Sequence, residues 1–482
     1  MKRILSLVLV LISVNLNSQT IISDNSFGTN GFAVLSGDTV GGPVRTLIQP
    51  DGKILVTNTR VIAGNNWENF ICRYNYNGQI DTSFGTNGFF ILSYLTGIDD
   101  NGAELKLLAN GKILLISNVS GTKVAKLNIN GTLDTSFGIN GVVSLSPFNL
   151  GDFESKNVIL NSSEDLILFG FNSSLTPTLI KLKTTDGSKD ATFGTNGEVT
   201  LNITNIRELV DIINGKYYFR TFDESVNTSN LIRLTSTFNL DGTFSTFGIV
   251  TIYTSMTSQD DNSNVIIDNL ENIYVLVQQR NTNIISFKKY NSSGVVINSF
   301  NSNVGSSIGI NDIVRSMIIN NNKLILTGAK VITTPNSFIA RYNSDGTIDN
   351  TFNNNGFYIE SGNTWQEFND NIAINSDNSI ITTGRYINGT YNKMFISKYV
   401  TGNLSLNNFE RTKINFVNPI QNELEINSTE KINLIELYNI EGKLISKTFN
   451  NKLETFELKN GLYFAKIFFE NGKNQTEKVI KN

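Results

Sequence analysis

Four aspartates, Asp81, Asp134, Asp190 and Asp349, each stand three residues before a phenylalanine. Around the last of them, Asn343-Ser344-Asp345-Gly346-Thr347-Ile348-Asp349 sets side-chain oxygens at alternate positions. Such a run could hold Ca²⁺, a cation that takes oxygen ligands, or could present a catalytic carboxylate. Two features favour a plainer use. No Glu closes the loop where an EF-hand requires one, and in related runs Ile297 and Ser245 fill the Asp slot. An aspartate that accepts backbone N–H bonds within a turn needs one oxygen and tolerates that decay. The repeated Asp is therefore read as turn chemistry and the repeated Phe as a core plug between units, with no metal or cofactor implied.

Other chemistries fall away by composition. The chain of 482 residues contains no His, which removes Ser-His-Asp and Cys-His catalysis and the commonest zinc ligand. Its one Cys, Cys72, lies in the apolar run Phe70-Ile71-Cys72-Arg73-Tyr74 and reads as a buried structural thiol. Lys and Arg number 39 against 42 Asp and Glu. A net charge of −3 spread over this length builds no basic field for nucleic acid.

The elements behind these residues form a repeat. Motifs resembling Asp-Thr-Ser-Phe-Gly-Thr-Asn-Gly recur with Phe at 27, 84, 137, 193, 247, 300 and 352, 52 to 57 residues apart. A hairpin turn recurs seven times as well, as in Pro50-Asp51-Gly52-Lys53 and Ala109-Asn110-Gly111-Lys112. Each unit holds four short strand-like runs, in the first near Val44–Ile48, Lys53–Thr57, Phe70–Asn75 and Phe89–Ser93. Four strands per period of this size predict a propeller blade. The last unit lacks its own Phe-Gly motif, and the first motif, Asp24 to Gly31, stands before any unit. The expected fold is all-β, a seven-bladed β-propeller closed by the N-terminal strand near Phe32–Leu35, followed by a small C-terminal β-sandwich.

In a four-stranded antiparallel blade, the a–b and c–d turns share one face of the ring and the b–c and d–a loops share the other. Here the first pair is stereotyped and the second varies, so any ligand face is expected on the variable side. Trp67 is placed there in a b–c loop and Trp365 in a d–a loop. Acidic residues recur just before strand a: Asp38, Asp99, Asp100, Asp152, Glu154, Asp260, Asp261, Asp312 and Glu367. They could form a negative rim at the channel mouth, attractive to cations or a basic partner.

Both ends read as addresses. Lys2 and Arg3 precede an apolar run from Ile4 to Leu16, the layout of a signal peptide over 1–19 with cleavage near Ser18-Gln19. The run is shorter than the roughly 20 residues that span a bilayer, so no membrane span is expected. No Cys follows it to carry a lipid. After a propeller over 20–402 and a linker over 403–412, residues 413–482 change to short alternating strands broken at Asn418-Pro419, Glu441-Gly442, Asn460-Gly461 and Asn471-Gly472.

Two stretches of the chain resemble known families. Arg73 to Gly85, with the matching run Arg341 to Phe352, resembles the delta-60 repeat family of bacterial propellers, over roughly residues 24–400. That family implies a fold without a settled activity. The tail carries Phe416-Val417-Asn418-Pro419-Ile420, Glu423-Leu424-Glu425-Ile426, Ile435 to Ile445, Leu458 to Ile467 and Glu477-Lys478-Val479-Ile480-Lys481 in order. It resembles the type A C-terminal sorting domain of the Bacteroidetes type IX secretion system, with Asn418, Pro419, Tyr438, Gly442, Gly461, Tyr463, Lys478 and Lys481 as signal residues. The resemblance implies recognition by the outer-membrane translocon and a secreted or surface-attached product. The functional reading is an exported binding or adhesion protein for a protein or glycan ligand. A polysaccharide-degrading glycosidase or lyase using loop carboxylates, and a structural surface spacer, are the alternatives.

Overall fold

The computed structural model describes residues 19–35, 44–62, 66–92, 103–118, 121–150, 157–254, 262–279, 284–300, 308, 312–331, 335–360, 366–388, 391–403, 414–440, 442–470 and 474–482. Contacts divide the chain into two units, Met1–Gly402 and Asn403–Asn482.

Among the described residues the first unit forms seven antiparallel sheets and no helix. Sheet 1 runs Arg45–Ile48, Ile54–Ile62, Asn66–Tyr74 and Phe89–Leu92, each strand paired with the next and here termed a, b, c and d. Sheets 2, 3, 4 and 6 repeat this order from Ala103–Leu107, Val158–Leu160, Ile206–Ile213 and Ile313–Asn320. Sheet 5 shows three strands, Asn262–Ile267, Ile273–Gln279 and Ile284–Tyr290, and the seven residues after Phe300 lie outside the described ones. Sheet 7 comprises Gln366–Ile374, Ile380–Asn388 and Tyr391–Asn403, and takes its outer strand from the other end of the unit. Phe32, Ala33 and Val34 pair with Ser397, Ile396 and Phe395, and Gln19–Ser23 pairs with the same strand.

Neighbouring sheets cover both faces of the central strands, which therefore read as unbroken apolar runs. Ile113-Leu114-Leu115-Ile116 is buried throughout. Leu55 and Ile71 of sheet 1 pack with Leu105 and Leu115 of sheet 2, and comparable clusters join each later pair. One further cluster sets Ile381, Met394 and Ile396 of sheet 7 against Val44, Val56, Phe70 and Cys72 of sheet 1. Cys72 is fully enclosed there, and burial pushes its thiol up to about 12, the inert state expected of it.

The fourth unit corrects the motif register. Its plug is Phe244, with no exposed surface, whereas Phe247 is 79% exposed. Asp241, not Ser245, fills the Asp slot: it accepts from the Thr243 backbone N–H (3.0 Å) and hydroxyl (2.6 Å). Ser245, at φ 48°, takes the place of the motif's first Gly, and Phe247, at φ 58°, takes the place of the Asn found at Asn30, Asn87, Asn140 and Asn196. Asn tolerates this left-handed backbone and Phe rarely does, so the Phe-Gly pair at 247–248 misleads the eye. Phe244→Ala should cost roughly 3–5 kcal/mol and Phe247→Ala within about 0.5 kcal/mol, read from denaturant midpoints. Equal losses would restore the Phe247 register.

Candidate functional site

The repeated aspartates sit in a latch at the foot of strand c. Asp81 Oδ2 receives Arg73 Nε (2.8 Å) and Lys53 Nζ (2.9 Å), while Oδ1 accepts from the Ser83 backbone N–H (3.1 Å) and hydroxyl (2.6 Å). The Arg73 guanidinium lies 4.7 Å from the Phe84 ring centroid and donates to the Ile129 carbonyl in the next sheet's c–d turn (2.5 Å). Arg233, Asp241, Thr243 and Phe244 repeat the set, as do Arg341, Asp349, Thr351 and Phe352. Lys126 with Asp134, Lys181 with Asp190, and Lys398 with Asp24 are lysine versions. In sheet 5, where Ile297 replaces Asp, Lys289 keeps the bond to the next turn's carbonyl at Ser344 (3.3 Å) and lies 4.8 Å from the Tyr274 ring centroid. Both oxygens of each latch carboxyl are thus occupied by the fold itself. The Ser136 hydroxyl and the Lys112 ammonium hold the Asp134 carboxyl well below its ordinary value of 3.8.

A cavity of about 460 Å³ is lined by strand a of all seven sheets, through Arg45, Glu104, Ile159, Glu208, Asn264, Arg315 and Asp370 among others. Lys106, Asp211, Ser316 and Asn371 also face it. Its carboxylates are mostly paired. Glu104 lies between Arg45 (3.3 Å) and Lys106 (3.1 Å); burial pushes its carboxyl up, but the two cations outweigh burial and hold it below the ordinary value. Glu208 pairs with Arg220 (2.8 Å). Asp370 binds Arg385 through both oxygens (2.8 and 3.1 Å) and accepts from the Val44 N–H of sheet 1 (3.4 Å). A paired cation favours the ionised carboxylate over the protonated form that a general acid needs.

Most of the loop residues singled out from sequence, Trp365, Asp99, Asp100, Asp152, Asp260 and Asp261 with Asp38 and Glu154, lie outside the described residues. The backbones of Trp67 and Glu367 are described and are strand rather than loop: Trp67 pairs with Val61 and Glu367 with Tyr386, because these hairpins run longer than their apolar cores. Asp312 does not face a channel mouth. It is buried, bonded to Lys330 Nζ (2.8 Å) and the Val331 N–H (2.9 Å). The channel residues escaped sequence reading, although aligning strand a on the a–b turns shows a polar residue recurring at its inward position.

In the second unit, Asn418 fastens the start of the domain to its last strand. Its amide donates to the Lys478 carbonyl (2.9 Å) and accepts from the Ile480 N–H (2.8 Å), with a cis bond to Pro419. The main sheet orders Leu444–Thr448, Ile432–Asn439, Gly461–Phe469 and Asn474–Lys481. Gly442 turns the first hairpin at φ 78°, Tyr438 donates to Glu436 (2.6 Å) and Tyr463 to the Lys459 carbonyl (2.9 Å). Lys481, opposite Gly461, is buried beside Ile420, whose backbone it bridges. Ile435, Leu437, Ala465, Ile467 and Val479 fill the core with Leu424 and Leu453.

Residues 416–482 match the family model of the secretion system C-terminal sorting domain. The tail is a type IX sorting domain. It marks the chain for export, to the outer surface or beyond it. Residues 49–84, 108–137 and 320–352 match the beta-propeller family described as a domain of unknown function (DUF5122), so the first unit is a propeller scaffold. No curated protein matches the chain. Similar solved structures include the beta-propeller domain of the Trilobed protease from Pyrococcus furiosus, at 11% identity and TM-score 0.42 over 76% of this chain and 97% of that one. An ulvan lyase of a new polysaccharide lyase family is similar at 8% identity and TM-score 0.44, over 77% of this chain and 96% of that one. No described helix is long and apolar enough to cross a membrane.

Because the latch carboxyls titrate below their ordinary value in the folded protein, their contribution is complete above that value and is lost as pH falls through it toward the folded one. Asp349, 3% exposed and bonded to Arg341, Lys323 and Thr351, is the clearest case. Asp349→Asn should cost roughly 3 kcal/mol at neutral pH and shrink the drop in urea midpoint below about pH 4. A variant as stable and as acid-sensitive as the parent would remove the latch from this account.

Proposed function

We propose that the first unit is a seven-bladed ring, closed in sheet 7 by residues 19–35, that acts outside the cell as a binding module for a protein or glycan. Ring closure is supported by the pairing of Phe32–Val34 with Tyr391–Asn403 and by the packing of sheet 7 against sheet 1. Residues 1–19 act as a signal peptide cleaved near Ser18-Gln19, and 403–412 link the ring to the sorting domain over 413–482, which engages the type IX translocon of a Bacteroidetes-type cell. The observation that carries the binding reading is the channel wall. Glu104 is committed to Arg45 of the neighbouring sheet, and Glu208 and Asp370 to arginines of their own sheets, a use suited to a rigid scaffold rather than to proton transfer. Ligand contacts are assigned to the face of the b–c and d–a loops, where Trp67, Trp365, Asp99, Asp100, Asp152, Asp260, Asp261 and Glu367 are grouped by sequence.

The test is the mature chain, residues 20–482, on an array of glycans and surface polymers, with reducing-end release measured in the same wells. Saturable capture that Trp67→Ala or Trp365→Ala weakens about tenfold or more, without release, is the expected result. Product release would make the protein a glycosidase or lyase. Capture by nothing would leave a structural spacer. In the native cell, deleting 413–482 should retain the protein inside the outer membrane; undiminished export would contradict the sorting role.

A further inference from the structure

The channel wall is uneven in charge. Glu104 faces two cations, Arg45 and Lys106, so that group carries an excess positive charge. Glu208 with Arg220 and Asp370 with Arg385 balance. Arg315 stands apart. It is exposed to the cavity and no described carboxylate lies within ion-pair distance of it.

Its placement is built rather than incidental. In sheet 6, Val314 pairs with Gly328 and Ser316 with Thr327, so Arg315 is the extra residue of a β-bulge. Bulges bend a strand and re-aim one side chain. Sheet 7 carries the same bulge: Asn369 pairs with Gly384 and Asn371 with Thr383, leaving Asp370 as the extra residue. Both bulges rest on a glycine with no room for a side chain. A Cβ on Gly328 would lie 1.8 Å from the Ile313 carbonyl oxygen, and one on Gly384 would lie 2.0 Å from that of Phe368. At the same bulge position Asp370 is buried and doubly bonded to Arg385, whereas Arg315 is turned to the cavity. Gln278 braces the bulge by accepting from the Val314 N–H (2.9 Å) and donating to the Asp312 carbonyl (3.1 Å).

We infer that the channel binds a carboxylate-bearing ligand of about one sugar ring in size, with Arg315 as its anchor. A planar guanidinium with free donors matches a carboxylate through two parallel hydrogen bonds. Ser316, Asn264 and Asn371 supply neutral polar groups around it, and a cavity of about 460 Å³ has room for a sugar ring. This rests on the reading of the ring as a binding module and names the chemistry its channel takes, distinct from the outer loop face.

The experiment is calorimetric titration of the mature chain, residues 20–482, with galacturonate, galactose and inorganic sulfate at neutral pH and low salt. Galacturonate should bind saturably and galactose should not. Arg315→Gln should weaken binding about tenfold or more, Arg315→Lys less so, and Arg207→Gln, an exposed arginine paired with Glu224, not at all. Thermal melts confirm that the variants fold. Galacturonate binding unchanged in Arg315→Gln, the absence of saturable binding, or sulfate binding as tightly as galacturonate would each overturn the assignment. Polymer capture on the array that persists in Arg315→Gln without any galacturonate binding would overturn this inference alone; loss of capture by the parent chain would overturn the binding module itself.

Discussion

A small sheet whose two faces are both apolar cannot stand alone in water. Leu114 and Ile116 need sheet 3 on one side, as Ile113 and Leu115 need sheet 1 on the other. Burying such side chains contributes on the order of 2 kcal/mol each, but only while a neighbour is present to cover them. An array of these sheets is stable in its middle and exposed at its ends, unless the ends meet. Residues 19–35 bear on that constraint, because Phe32–Val34 and Gln19–Ser23 pair with the last strand of the unit, and the closure proposed above would cover both ends.

The latch follows from the same constraint. Apolar packing between sheets is non-directional, so it does not by itself set the angle at which one sheet meets the next. The Arg73 guanidinium does this by holding Asp81 in its own sheet, covering Phe84 and donating to Ile129 of the next. Nearer the channel, side-chain amides and carboxylates repeat the service: Asn157 accepts from the Leu209 N–H (3.1 Å), Gln278 from that of Val314, and Asp370 from that of Val44. The cavity-lining carboxylates Glu104, Glu208 and Asp370 each have a cation partner. That is why an arginine with no such duty carries information.

Much of this was legible from spacing. The period, the four strands and the unpartnered motif at residues 24–31 together implied an outer strand donated from the N-terminus, and Phe32–Val34 occupies that place. The structural use of the repeated Asp was legible from its decay at Ile297. The error at Phe247 has a physical source. Inward placement is decided by the third residue after Asp, where the turn delivers the side chain to the neighbouring sheet, and not by the Phe-Gly pair that first catches the eye. The channel was less legible, because an inward polar residue on a short strand reads like a solvent-facing one. Nor does sequence mark a β-bulge: Arg315 and Asp370 occupy equivalent positions in strands of different length and composition. In the sorting domain the Asn-Pro pair was visible at once, and its work appears only when Asn418 is seen bonded to both Lys478 and Ile480.

The central claim is that seven interdependent sheets form one ring fastened by the N-terminal segment. Hydrogen exchange on the mature chain measures this directly. The Leu35 amide donates to Met394, the Asp24 amide to Lys398 and the Lys398 amide to Gly31. Closure predicts that residues 24–35 and 394–398 are protected to the same degree as interior strands such as Ile113–Ser117, and that they open only with the whole unit. Exchange of residues 24–35 at the rate of exposed turns, with the other sheets still protected, would contradict it.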